Sequence, residues 1–96
     1  MKIRILTPAQ YDLVDSYWFY ENRESGLGSY FIRSIYGDIE SLQIYAGIHA
    51  KHLGKNRMIA STFPCSIFYL VEENEIRIYA VLDYRRDPDW MSKRLK

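Results

Sequence analysis

The chain has 96 residues, enough for one domain and no more, and its 48% hydrophobic and 26% charged content is that of a globular protein, not a disordered one. The formal net charge of +1 argues against a protein that holds its partner through many phosphate contacts. A single cysteine, Cys65, excludes an internal disulfide framework and a multi-cysteine metal site; no metal and no cofactor is expected.

Lys2-Ile3-Arg4-Ile5-Leu6 alternates with period two and reads as a short strand. Thr7-Pro8-Ala9-Gln10 follows as a helix start: Thr7 as the cap, Pro8 at a position where its missing N–H is not needed, Gln10 closing a capping box. Leu6 and Tyr11 flank this box at the spacing of a hydrophobic staple. The spacing predicts a first helix to about Asn22, with Tyr11, Val14 and Trp18 in line and Tyr17 beside them. Ser25-Gly26-Leu27-Gly28 breaks it. A second helix is predicted over Ser29 to Tyr45, with Ile32, Ile35, Ile39 and Leu42 as its apolar stripe and Gly37 as a place for close packing on the first helix. Ala46 to Lys55 reads as a loop carrying His49, Lys51, His52 and Lys55 without an acidic residue. Arg57 to Thr62 is a short strand. Cys65 to Glu72 and Glu75 to Asp83 form a strand pair around Glu73-Asn74, apolar on both faces and therefore central. After Trp90 a basic helix of one or two turns closes the chain. The order implies a single α+β domain over 1–96: an N-terminal strand, a two-helix hairpin, and a mostly antiparallel sheet completed by three strands and a short C-terminal helix.

Three blocks in this order carry a family resemblance. Tyr20-Glu21, Gly26-Leu27-Gly28 and Phe31 make up the first, Phe63-Pro64-Cys65-Ser66-Ile67-Phe68-Tyr69-Leu70-Val71 the second, and Ile78 to Tyr84 with Arg85-Arg86-Asp87-Pro88-Asp89-Trp90 the third. Together they span nearly the whole chain and resemble the RelE/ParE family of bacterial type II toxins. Two positions depart from the family pattern: Cys65 stands where an aromatic is common, and Tyr84 where many ParE-like members have His. The resemblance implies a toxin made with a cognate antitoxin that neutralises it in a hetero-oligomeric complex. It also implies one of two targets: DNA gyrase for ParE-like members, or ribosome-bound mRNA for RelE-like members, which cut it without a metal. A degenerate, non-toxic member acting only as an antitoxin-binding co-repressor is the third alternative.

Metal-free RNA cleavage needs a base, an acid and charge stabilisation at the phosphorane. Arg57, Tyr84 and Arg85 are the candidate nuclease set, with Arg77 as a further guanidinium, but no tyrosine follows Tyr84 and no base is evident. His49 and His52 have a suitable chemistry but read as loop residues, and two histidines without a third ligand make a poor metal site. The ParE-like reading instead makes Arg57, Arg85, Arg86 and Trp90 target-binding residues, in the half of the chain where nine Lys/Arg stand against six Asp/Glu. Within the turn, Asp87 is expected to cap the last helix with Pro88 at its first position, Arg86 to hold the turn and Arg85 to face outward. Trp90 either packs under that helix or offers its ring to a partner. Cys65 is expected to be a buried small hydrophobe. The run Tyr17-Trp18-Phe19-Tyr20 is wider than one buried helical face, which makes Tyr17, Phe19 and Tyr20 the candidate antitoxin-binding residues. With no membrane-length apolar run and no secretory signal at the start, a cytoplasmic protein without a membrane partner is expected.

Overall fold

A computed structural model describes residues 1–96. The elements are β1 (Lys2–Ile5), α1 (Thr7–Glu21), α2 (Leu27–Glu40), α3 (Leu42–Tyr45), β2 (Lys51–His52), β3 (Lys55–Ile59), β4 (Cys65–Glu72), β5 (Glu75–Asp83) and α4 (Pro88–Leu95). One five-stranded sheet runs in the order β1-β5-β4-β3-β2. β1 lies parallel to β5, from Lys2 opposite Glu75 to Ile5 opposite Ile78, and all other pairs are antiparallel. The fold is α+β, and β4 and β5 are central strands.

The helical hairpin covers one face. Ala9 and Leu13 of α1 and Phe31, Ile35 and Ile39 of α2 pack on Ile67, Tyr69, Ile76 and Ile78. The opposite face carries a smaller cluster, Phe68, Ala80 and Leu82, covered by Leu95 and Met91 of α4. A bulge allows both β5 faces to be used: Phe68 pairs with Ala80 and Tyr69 with Ile78, so Tyr79 has no partner and the alternation resets before Val81.

Several local details differ from what the sequence predicts. α1 buries Ala9, Leu13 and Tyr20, while Tyr11, Val14 and Trp18 are 67%, 52% and 56% exposed. The helix has two apolar stripes, and the one containing the small Ala9 approaches the sheet. Thr7 lies inside the helix, Leu6 occupies the cap position without a side-chain bond, and Gln10 Nε2 donates to the Ile5 carbonyl at 2.9 Å instead of closing a box. The predicted second helix breaks at Ser41, whose Oγ donates to the Asp38 carbonyl at 2.6 Å. The close approach of the helices is at Gly28, not Gly37: a Cβ on Gly28 would meet the Tyr17 carbonyl oxygen at 2.7 Å, whereas one on Gly37 meets nothing within 4 Å. Glu21 explains the crossing point, since its carboxylate accepts from the N–H of Gly26 and of Gly28 and so caps α2 from the end of α1. The 46–55 segment is not wholly a loop, because Leu53 and Gly54 turn β2 back onto β3.

Candidate functional site

The sheet's own topology makes the site. β1 ends opposite Ile78 while β5 continues to Asp83, so the last residues of β5 have an open edge beside them. α1 borders this edge on one side and α4 on the other. Between them lies a groove of about 710 Å³. Pro8, Asp12, Asp15, Ser16 and Phe19 form its α1 wall, Cys65, Val81 and Asp83 its floor, and Arg85, Arg86, Trp90 and Arg94 its far wall.

Asp12 ties the walls together. Its Oδ2 accepts from the edge N–H of Val81 at 3.0 Å and from Arg94 Nη2 at 2.6 Å. Arg94 also donates to the Pro8 carbonyl at 3.0 Å, which fixes α4 to the start of α1. Burial pushes the Asp12 carboxyl up from its usual range, against the pull of the Arg94 and Val81 hydrogen bonds.

At the other end Asp83 accepts from Arg85 twice, Nε to Oδ1 at 2.9 Å and Nη2 to Oδ2 at 2.6 Å, and from the Arg85 N–H at 2.8 Å. This bidentate pair holds the Asp83 carboxyl below its usual range and the Arg85 guanidinium firmly charged. Burial pushes the Cys65 thiol beside them up to about 12, so Cys65 is a buried, protonated small side chain.

The turn is thus held also by the side chain expected to face outward: Arg85 pairs with Asp83 although 61% of its side chain is exposed. Arg85 holds the turn, and Arg86 stands free of any carboxylate with its guanidinium 4.0 Å over the Trp90 ring. Trp90 is 37% exposed, and this stack, not burial under α4, defines its position. Asp87 caps α4, its Oδ1 accepting from the Asp89 N–H at 3.2 Å, with Pro88 as the first helical residue.

The predicted nuclease set does not converge. Arg57 lies on the face of β3 turned away from the helical hairpin, donating through Nε to Ser66 Oγ at 2.7 Å. Neither Arg57 nor Tyr84 lines the groove with Arg85, and no histidine or lysine does. His49 instead hydrogen-bonds the Tyr69 hydroxyl, which also accepts from the Gly47 N–H at 2.9 Å, and His52 stacks on Phe68. No group of three His, Cys, Asp or Glu side chains is placed to hold a metal ion.

The four-aromatic run divides. Tyr20 is buried, stacked on Phe31 and edge-on to Phe63, which removes it from the candidate surface residues. Phe19 is 47% exposed at the end of the groove beneath Arg23, whose guanidinium sits 4.4 Å over its ring. Tyr17 lines a separate apolar groove of about 460 Å³ with Val14, Trp18, Ile32 and Tyr36. Sequence reasoning missed Asp12, Arg94 and Arg23. Their signals were weak, because the acceptor of a lone Val81 N–H follows from topology and not from any spacing.

No helix is long and apolar enough to cross a membrane. No family model matches the sequence, and no curated protein matches it. Among solved structures, the chain is similar to one from the chromosomal ParDE TA system of P. aeruginosa, with a TM-score of 0.73 and 22% identity over 84% of this chain and 92% of that one. The fold is thus the one implied by the three sequence blocks: strand, helical hairpin, sheet and C-terminal helix in the arrangement of a chain from a ParDE system.

Proposed function

We propose that the chain is the toxin of a type II toxin–antitoxin system, of ParE type, which arrests growth by binding DNA gyrase and is neutralised by a cognate antitoxin. The fold likeness to a ParDE chain supports the toxin reading. The observation that carries the choice of target is the composition of the groove: it gathers Arg85, Arg86 and Trp90 without a histidine or lysine, and two of its three carboxylates, Asp12 and Asp83, are tied up in ion pairs. Such a site suits docking better than transesterification, which needs a base near the nucleophile. Arg86 and Trp90 are then the central contacts with the target, with Arg85 holding the turn that presents them. Arg57, which does not line the groove, is not part of that contact. Phe19 and Tyr17 remain the proposed antitoxin contacts.

Expression of the chain without its antitoxin, with DNA damage signalling and mRNA integrity followed together, tests this. DNA breaks with intact mRNA are expected. Codon-biased mRNA cuts would establish the ribosome-dependent endonuclease instead. Absence of any growth effect would leave a co-repressor that only binds the antitoxin. R86A should weaken capture of gyrase by about tenfold or more, the cost of losing an arginine anchor, with the fold retained because the side chain is exposed.

A further inference from the structure

Two arginines are stacked on aromatic rings that line the groove and are paired with no carboxylate: Arg23 over Phe19 and Arg86 over Trp90. Stacking fixes a guanidinium plane and leaves its edge N–H groups facing outward, ready to grip an oxyanion in a fork. The other charges of the groove are mostly consumed internally, Asp12 by Arg94 and Asp83 by Arg85. Only Asp15, exposed on the α1 wall, has no ion-pair partner. Between the charges lie the exposed rings of Tyr11 and Phe19.

We infer that this groove binds an extended acidic peptide segment whose apolar side chains rest on the Tyr11 and Phe19 rings while carboxylates near its ends are held by Arg23 and Arg86. The α1 wall runs from Pro8 to Tyr20, about 18 Å at 1.5 Å per residue. That length matches roughly five or six residues of extended chain at about 3.3 Å each. A peptide fits better than a nucleic acid because its charges can be spaced. A phosphate backbone would carry a charge at every unit past Asp15, whereas a peptide can set a neutral residue there. The inference deepens the target reading, since Arg85, Arg86 and Trp90 line the same groove. It rests on that reading only for the biological role of the site and not for its chemistry.

The test is a titration of the isotope-labelled full chain with an acetylated, amidated hexapeptide, Glu-Glu-Leu-Phe-Glu-Glu, followed at the Trp90 indole N–H by NMR. Versions with Gln or Lys in place of Glu, and a uridine hexanucleotide, serve as comparisons at the same salt. Only the acidic peptide is expected to shift the Trp90 signal. R23E and R86E should each weaken its binding about tenfold or more, D15N should strengthen it, and R57E should leave it unchanged. If either charge reversal fails to give a folded spectrum, R23Q and R86Q replace them, with smaller losses in the same direction. Equal binding of the neutral or basic peptide, undiminished binding by folded R86E, or tighter binding of the hexanucleotide would each overturn the inference. Because the titration uses purified protein, a failure to damage DNA in cells would leave it standing, and its own failure would leave the toxin reading to the cell assay.

Discussion

Gly28 and Gly37 sit in the same helix and should respond oppositely to alanine. At Gly28 the new methyl would press on the Tyr17 backbone carbonyl, 2.7 Å from the ideal Cβ position, and a helical backbone carbonyl cannot swing aside as a flexible side chain would. G28A is expected to destabilise by about 1–3 kcal/mol, the range for overpacking a close contact, read as a lower midpoint in denaturant. Gly37 is exposed, has no neighbour within 4 Å of its Cβ position and no left-handed backbone angle, so G37A should stabilise by about 0.5–1 kcal/mol. Asp83 gives a pH signature. Its folded carboxyl titrates below the ordinary 3.8, because the Arg85 hydrogen bonds favour the anion. The unfolded chain therefore binds the proton first as pH falls. Stability from this pair is present above 3.8 and lost on acidification below it, and D83N should flatten that part of a stability–pH curve. Cys65 supplies a chemical readout. With its thiol pushed up to about 12, it should resist alkylation at pH 8 in the folded protein and react promptly once the chain is denatured.

Among the elements, α4 offers the clearest test of how the groove is held. It is fixed by Leu95 on Phe68, Ala80 and Leu82, by Arg94 on Asp12, and by Lys55 Nζ donating to the Leu95 carbonyl at 3.0 Å. R94A leaves the Asp12 carboxylate partly buried with only the Val81 N–H for company, and loss of one partner from such a pair is costly. Faster hydrogen exchange confined to α4 and the end of β5 is expected, while α2 and β3 keep their protection. The sequence showed where the strands and helical hairpin lie because their patterns are strong: alternation in Cys65–Glu72 and Glu75–Asp83, and the isoleucine stripe of α2. It did not show which stripe of α1 faces inward, since Tyr11-Val14-Trp18 and Ala9-Leu13-Tyr20 both satisfy helical spacing, and small Ala9 decides the matter through close approach to the sheet. Nor could local pattern assign Arg85 to Asp83 and Arg86 to Trp90, because two adjacent arginines are equivalent until the turn is built.

In the whole molecule, the pairing of β1 with β5 joins Lys2–Ile5 to Glu75–Ile78, so the first strand finds its place only when residues more than seventy positions later are available. Contacts of such long sequence separation slow folding, and here they also order it in time. During synthesis the helical hairpin can form early, but the parallel edge cannot close until β5 has left the ribosome. The groove must wait longer, because α4 and the Arg94 anchor follow β5. A ribosome-tethered fragment ending before Glu75 should therefore be cut readily by protease across β1, while one extended past Lys96 by a long linker resists. A groove built in this order does not exist on an unfinished polypeptide: nothing can dock there until translation of the whole message is complete.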